Sequence, residues 1–295
     1  MDISHYTVRG VGPELMNQDI GDGLLPYLLY DAPGPTVILL HATGFTPWLW
    51  HPVARKLYPS CRVIAPYMCD YRKEDPEKGG LGWGKIAKDI ATLVASIGIV
   101  DAYLVGHSMG ATVSMIANVA FGVKARGMVL IEPILLPDDF YRVKLTVNDH
   151  PLASLAMKRR NYWKNKKEAL DYLRSRDLFK KWNDEVLDLY VAHGMEPRVG
   201  GGLQLACKPE MEAALFMGGA EYNPWPVVSK VSCPALVAEG DKSETRNFVD
   251  FKKIFSLLPA ASHTVVEDAG HLVPMEQPAA TARIIMDFIS RIEKL

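Results

Sequence analysis

The chain has 295 residues, of which 48% are apolar and 23% are charged, and its formal net charge is −1 at pH 7. That length suits one α/β domain with an insertion, and the near-neutral charge argues against a general affinity for nucleic acid or other polyanions. No apolar run is long enough to cross a membrane, and no N-terminal stretch is of the signal-peptide type. The cysteines, Cys61, Cys69, Cys207 and Cys233, show no C-x-x-C spacing. We therefore expect reduced thiols in a cytoplasmic protein, with neither a disulfide nor a zinc site.

Short apolar runs alternate with helical patterns along most of the chain. They predict an opening antiparallel hairpin formed by His5 to Arg9 and Leu25–Tyr30. They also predict core strands at Val37–Leu40, Arg62–Ala65, Ala102–Val105, Met128–Ile131, Ala235–Ala238 and Thr264–Glu267. Helices are predicted at Trp50–Leu57, Trp83–Ile97, Ser108–Ala120, Phe248–Leu258 and Pro278–Ile292. Such alternation favours a mostly parallel sheet with helices on both faces.

The alternation stops between Pro137 and Pro226. Two segments in this region, Lys167–Arg174 and Asp184–Val191, have strongly helical sequences. We predict a helical cap at 137–226, inserted into a core domain made of 1–136 and 227–295. Caps of this kind sequester a site and shape its pocket.

The pentapeptide Gly106-His107-Ser108-Met109-Gly110 has the G-x-S-x-G pattern. It follows a predicted strand and precedes a predicted helix. A tight strand–turn–helix junction strains the backbone at the central serine and exposes its hydroxyl beside a helix N-terminus, as in a nucleophile elbow. Five residues match by chance easily, so the interpretation depends on the motifs upstream and downstream.

Upstream, the strand Val37–Leu40 ends at His41 and opens into a loop of small residues. Beside an elbow, such a loop supplies one backbone N–H of an oxyanion hole, and the residue after the nucleophile supplies the other. We predict Thr43 and Met109 for these donors. One such donor contributes about 3 kcal/mol to transition-state stabilisation.

Downstream, a β-branched run ends in Gly270-His271. This position predicts His271 as the general base that takes the proton of Ser108 and later returns it to the leaving group. His41 and His107 flank the predicted site, at loop positions typical of packing and hydrogen bonding.

The acid that orients the histidine has three candidates. Glu132 ends a predicted strand directly before Pro133, whereas Asp241 and Glu244 follow the strand Ala235–Ala238. In chains with a nucleophile elbow, the acid is commonly an aspartate three residues after the glycine that follows this second strand. Here the glycine is Gly240, and that position is Ser243. A carboxylate at the end of a buried strand is costly unless it is paired, which favours Glu132, then Glu244, then Asp241.

Taken together, these motifs resemble the α/β-hydrolase fold over essentially the whole chain. The resemblance implies a mostly parallel eight-stranded sheet, covered by helices on both faces, with an inserted helical cap. The strand ending in Glu132-Pro133 is similar to that of haloalkane dehalogenases, in which a glutamate at this position is the triad acid. Those enzymes carry an aspartate nucleophile, so Ser108 implies ester-type chemistry instead.

The predicted function is therefore a serine hydrolase without cofactor or metal, which cleaves a carboxylic ester through an acyl-enzyme intermediate, in the manner of a carboxylesterase. A small or medium, mainly apolar substrate is expected, with Phe45, Trp48 and Trp50 as candidate pocket residues. Thioesters, lactones and activated C–C bonds remain open, as does the oligomeric state. Alternatives are a ligand-sensing protein and a cofactor-free lyase on the same fold.

The predicted cap is basic. Between Arg142 and Lys181 there are twelve Lys or Arg residues and four Asp or Glu residues. A solvated helical surface is the favoured interpretation. Steering of an anionic substrate and attachment to an acidic membrane surface are the alternatives, whereas no nucleic-acid-binding motif is present.

Overall fold

The computed structural model describes residues 12–69, 71–258 and 260–294. The strands are β1 Glu14–Asp19, β2 Leu24–Tyr30, β3 Thr36–Leu40, β4 Arg62–Pro66, β5 Ala102–His107, β6 Ala125–Ile131, β7 Met195–Pro197, β8 Leu203–Leu205, β9 Ala235–Gly240 and β10 Ala261–Val266. The helices are α1 His51–Leu57, α2 Trp83–Ser96, α3 Met109–Phe121, α4 Pro151–Met157, α5 Lys166–Arg174, α6 Asp177–Lys180, α7 Asp184–His193, α8 Pro209–Gly218, α9 Trp225–Val228, α10 Phe251–Leu257, α11 Val273–Glu276 and α12 Pro278–Glu293. Short 3-10 helices lie at Pro47–Trp50, Pro76–Lys78, Asp138–Arg142 and Glu244–Asn247.

Eight strands form one sheet in the order β1-β2-β4-β3-β5-β6-β9-β10. The pairs β1–β2 and β2–β4 are antiparallel, and the pairs from β4 to β10 are parallel. The predicted mostly parallel eight-stranded sheet is therefore confirmed. All parallel strands point their carboxyl ends to one edge, where the loops that carry the predicted site residues begin.

The opening hairpin differs from the prediction in its first strand. The predicted segment His5 to Arg9 lies outside the described residues, and β2 pairs with Glu14–Asp19 instead. That strand is at the edge of the sheet, and its sequence ELMNQD contains few apolar residues. An apolar-run search therefore passes over it, since only one side of an edge strand needs to be buried.

The central strands are buried on both faces, and their residues alternate between two apolar clusters. Val37 and Leu39 pack with helices α1 and α12, whereas Ile38 and Leu40 pack with α2 and α3. This alternation explains why the central strands are continuous apolar runs in the sequence. The sheet is thus held rigidly between two helical layers, which fixes the loops at its carboxyl edge.

Helices α4 to α9 and the small hairpin β7–β8 lie between β6 and β9 in the chain. Cys207, just before α8, forms a disulfide with Cys69 in the loop after β4, with a Cα–Cα distance of 6.0 Å. The expectation of four reduced thiols was therefore wrong. The two residues are 138 positions apart, so their proximity depends on tertiary folding and leaves no local pattern in the sequence. The disulfide also removes one ground for the predicted cytoplasmic location, which stays a prediction.

Among the described residues, no helix combines the length and the apolarity that a membrane span requires. The boundaries proposed for core and cap, at 137 and 226, remain predictions.

Candidate active site

Ser108 sits in the turn between β5 and α3 with φ 56° and ψ −119°, a backbone conformation that a non-glycine residue rarely adopts. Its N–H donates to the Ile131 carbonyl at 2.9 Å, which ties the turn to the neighbouring strand. A Cβ atom at Gly106 would lie 2.3 Å from the Gly110 carbonyl group, and one at Gly110 would lie 2.2 Å from the Leu40 carbonyl oxygen. Both glycines of the pentapeptide are therefore required by close backbone approach.

A continuous series of hydrogen bonds joins Ser108, His271 and Glu132. The His271 Nε2 atom lies 3.1 Å from Ser108 Oγ, and its Nδ1 atom lies 3.1 Å from Glu132 Oε2. Glu132 is fully buried at the end of β6, whereas the His271 side chain is 29% exposed in the loop after β10. The structure thus brings together the serine, the histidine and the favoured carboxylate of the sequence analysis, although their catalytic roles stay predictions.

The Glu132 carboxylate is surrounded by donors from the last residue of β9 and from the segment after it. Gly240 N–H donates to Oε1 at 2.8 Å, while the hydroxyls of Ser243 and Thr245 donate to Oε2 at 2.7 and 2.5 Å. Burial alone would raise the pKa of the Glu132 carboxyl, but hydrogen bonds from His271, Thr245 and Ser243 hold that pKa below its ordinary value. Glu132 is therefore kept as an anion beside the imidazole.

The two alternative acids lie elsewhere. Glu244 and Asp241 are both exposed, and the structure brings neither of them to the His271 ring. The Asp241 carboxylate instead accepts the Ala269 N–H at 3.1 Å, which supports the loop that carries His271. Its position thus indicates a structural contribution to the same loop.

His107 contacts the other side of the His271 residue. Its Nε2 atom donates to the His271 carbonyl oxygen at 2.8 Å, and the two rings are 5.2 Å apart between centroids. Burial, with a contribution from the charge of His271, places the His107 pKa well below its ordinary value. A neutral His107 adds no positive charge next to His271.

The loop after β3 is fixed by His41. Its Nδ1 atom donates to the Ala42 carbonyl oxygen and its Nε2 atom accepts the Met68 N–H, both at 2.8 Å. This double contact sets one neutral tautomer, and burial lowers the His41 pKa to about 4. Thr43 follows in the same loop and is 8% exposed. Met109 is the first residue of α3, where the N–H groups of a helix lack an intrahelical acceptor.

Residues of the predicted cap lie against this loop. Gly44 has φ 76°, and a Cβ atom there would lie 2.6 Å from Glu212 Oε1 of α8. Glu212 pairs with Arg159 Nη1 at 2.5 Å, and Arg159 Nη2 donates to the Tyr190 hydroxyl at 3.1 Å. Burial alone would lower the Arg159 pKa, but the charges and hydrogen bonds of Tyr190 and Glu212 hold it above its ordinary value. The sequence analysis missed this cluster, since its members are dispersed over the cap without a motif.

Aromatic side chains of loop and cap pack together beside the cluster. Phe45 lies 5.4 Å from Trp182 and 5.9 Å from Tyr190 between ring centroids. Trp48 stacks on His193 at 3.7 Å, with its ring nearly parallel to the imidazole. Trp50 is 2% exposed and belongs to the main apolar cluster. Of the three predicted pocket residues, Phe45 and Trp48 therefore face the cap, and contact of any of them with a substrate stays a prediction.

Comparison with known proteins gives consistent results over most of the chain. A sequence model described as the alpha/beta hydrolase family matches residues 37–284. The abhydrolase domain-containing protein AFT2-1 of Alternaria alternata is 28% identical over 64% of this chain and 83% of its own length. The 2-(acetamidomethylene)succinate hydrolase of Mesorhizobium japonicum is 24% identical over 87% of this chain and 88% of its own length.

A solved structure of E-2-(acetamidomethylene)succinate hydrolase superposes with a TM-score of 0.79 and 22% identity. The match covers 95% of this chain and all of that protein's chain (100%). At this identity, the superposition establishes a shared fold.

Proposed function

The chain belongs to the alpha/beta hydrolase family, and we propose that it is a serine hydrolase that cleaves carboxylic esters through an acyl-enzyme intermediate, as carboxylesterases do. The observation that carries the proposal is the hydrogen-bonded series from Ser108 through His271 to Glu132. A hydroxyl, an imidazole and a buried carboxylate in this order are the parts that activate a serine nucleophile.

In the first half-reaction, Ser108 Oγ attacks the substrate carbonyl carbon while His271 Nε2 takes the hydroxyl proton. Glu132 accepts the Nδ1–H of His271, which fixes the tautomer and stabilises the imidazolium that forms. The negative oxygen of the tetrahedral intermediate is assigned to the N–H groups of Thr43 and Met109. His271 then protonates the leaving alcohol, and the acyl group remains on Ser108.

In the second half-reaction, water takes the place of the alcohol. His271 removes a proton from the water, which attacks the acyl carbon, and the same proton returns to Ser108 as the acid leaves. The surroundings support an apolar acyl or alcohol group, because Phe45 and Trp48 line the loop beneath an aromatic region of the cap.

A second candidate is hydrolysis of an amide-type bond in a substrate that carries carboxylates. The name of the Mesorhizobium relative refers to an acetamido group and a succinate. The observation in its favour is Arg159, a largely buried cation held by Glu212 and Tyr190 above Gly44. A guanidinium has five N–H donors in a planar fork, so Arg159 retains donors for a substrate carboxylate.

Labelling with a fluorophosphonate probe tests the central proposal. We expect rapid labelling that is lost in Ser108→Ala and retained in Ser256→Ala, which changes an exposed serine of helix α10. Turnover of a p-nitrophenyl ester series should be lost in the same variant. A folded protein with neither labelling nor turnover would overturn the proposal and favour a ligand-sensing or lyase role.

The same series separates the two candidate substrate classes. If carboxylate-bearing substrates are used, Arg159→Gln should raise their KM at least about tenfold while leaving uncharged esters unchanged, because a charge-assisted pair contributes roughly 1.5–3 kcal/mol. An equal change for both kinds of substrate would exclude a carboxylate-binding role.

A further inference from the structure

Helix α4 (Pro151–Met157) buries its small apolar residues and exposes its large ones. Ala153 and Ala156 are 0% and 2% exposed and pack against α8, in a small cluster with Ala213. Leu152 and Leu155 on the opposite side are 49% and 63% exposed. An ordinary surface helix does the reverse, because burying a leucine contributes more than burying an alanine.

Further apolar residues are exposed near this helix in the chain. Met157, at its end, is 41% exposed, and Val143, in the segment that leads to it, is 55% exposed. Burying one side chain of this size contributes about 1.5–3 kcal/mol. A partner that covers all four of these side chains would therefore be bound more tightly by the apolar area that it buries. Dense exposure of this kind marks interaction sites, whereas scattered single residues do not.

Cations accompany these apolar residues. From Arg142 to Arg160 the chain has five Lys or Arg residues and one acidic residue, Asp149. Lys158 donates to the uncharged Ser154 hydroxyl at 3.2 Å, and the contact of Arg142 with Asp139 is long, at 3.5 Å, and exposed. Arg159 and Arg160 pair with Glu212 and Glu168, so the cations that α4 and its leading segment offer to an external anion are Lys144, Lys158 and the weakly paired Arg142. We call Leu152, Leu155, Met157, Arg142, Lys144 and Lys158 the cap face.

We propose that the cap face docks on an anionic lipid surface. Apolar side chains bordered by Lys and Arg match the two layers of such a surface, since the chains enter the acyl boundary and the cations meet the lipid phosphates. A second copy of the chain fits less well. A symmetric contact would place the same cations against one another, where like charges repel.

The docking has a consequence for the site. Helix α4 packs on α8, and α8 carries Glu212 over Gly44 of the loop after β3. A membrane contact on the cap face therefore acts on the element that covers this loop. The inference does not depend on the proposed ester hydrolysis, because it concerns binding alone.

Vesicle flotation of the full-length protein tests the proposal. We expect binding to vesicles of phosphatidylcholine with phosphatidylglycerol, little binding to phosphatidylcholine alone, and weakening of the anionic binding by salt. Leu152→Ser/Leu155→Ser should lower the partition coefficient at least about tenfold, because roughly 1.4 kcal/mol corresponds to that factor. Lys144→Glu/Lys158→Glu should remove the preference for the anionic lipid.

Matched controls lie at the opposite edge of the sheet. Val100 is 76% exposed just before β5, and Lys124 is exposed just before β6, so both flank the amino ends of parallel strands. Val100→Ser and Lys124→Glu should bind vesicles as the unchanged protein does. Thermal unfolding of each variant checks that its fold is intact, and Ser108→Ala should bind normally, which separates docking from catalysis.

Three results would overturn the proposal. The first is no flotation with either vesicle, and the second is binding that Leu152→Ser/Leu155→Ser does not reduce. The third is dimerisation in solution that this double variant abolishes, without vesicle binding, since the cap face would then be an interface between copies.

Discussion

The ends of the neighbouring strands β6 and β9 contribute different parts of one carboxylate site. Strand β6 ends in the charge itself, Glu132, which is fully buried and has φ 48°. The end of β9 and the segment after it contribute only uncharged donors, the Gly240 N–H and the hydroxyls of Ser243 and Thr245. The family resemblance places an aspartate at position 243. The carboxylate can therefore lie at either strand end, provided that the other end supplies hydrogen-bond donors to it.

The largest effect on catalysis is expected from replacing Glu132, at the end of β6. Glu132→Ala removes the group that fixes the His271 tautomer, and kcat/KM for the best ester should fall by about 10⁴. Steady-state kinetics measure this fall. Glu132→Gln, which keeps the shape without the charge, should be almost as inactive, and a loss of less than tenfold in both variants would show that another group orients His271.

Moving the carboxylate between the two ends sharpens the comparison. Glu132→Ser/Ser243→Asp transfers the charge to the β9 end, and we expect kcat/KM about 10²-fold above that of Glu132→Ser alone, which is partial recovery. Ser243→Asp by itself should be harmful, because two carboxylates would then face each other. Absence of any recovery would mean that only the β6 end can reach His271.

The contact between His107 and the His271 carbonyl group gives a smaller effect. His107→Ala should lower kcat about tenfold, because a lost hydrogen bond of about 1 kcal/mol also loosens the base. His107→Gln presents an N–H near the Nε2 position and should recover most of the rate. Equal rates for both variants would show that the contact does not position His271.

The hydroxyl donors from the β9 end control the ionisation of Glu132. Thr245→Val should lower the free energy of unfolding by about 1.5–3 kcal/mol at neutral pH, since it removes a hydrogen bond to a charged group. The lowered pKa of Glu132 contributes stability above its ordinary value of 4.5, and this contribution is lost as the pH falls through the lower folded value.

The stability difference between Thr245→Val and the unchanged protein should therefore shrink below pH 4.5. Urea unfolding across the acidic range measures it. A difference that stays constant with pH would assign the loss to packing.

The smallest effect on catalysis is expected from replacing Glu244. It is exposed, and Glu244→Gln should change kcat/KM less than twofold, within the range of an ordinary surface substitution. A loss comparable with that of Glu132→Ala would reassign the acid to the β9 end.

The sequence predicted the sheet and the serine–histidine–carboxylate neighbourhood for one physical reason. Parallel strands that are buried on both faces are continuous apolar runs, and their carboxyl ends meet at one edge of the sheet. Ser108 and Glu132 each follow such a run and His271 follows the partly exposed edge strand β10, and the parallel topology makes the three neighbours. The edge strand β1 has no such run and was not predicted.

Contacts made by the segment between β6 and β9 were beyond this reasoning. The approach of Glu212 to Gly44, its pairing with Arg159 and the Cys69–Cys207 bond all join distant parts of the chain through tertiary packing. No local periodicity encodes them. The donors around Glu132 left only an indirect signal, the serine that stands where the resemblance leads one to expect an aspartate.

The disulfide makes residues 69–207 a covalent ring that holds Ser108 and Glu132 and excludes His271. In chain-entropy terms, closing a ring across 138 residues destabilises the unfolded ensemble by about 5 kcal/mol. A proteolytic cut in the exposed segment around Arg142 would open the ring without separating the two pieces. The nicked molecule would remain a single covalent unit, with its nucleophile, its acid and its base still attached to one another.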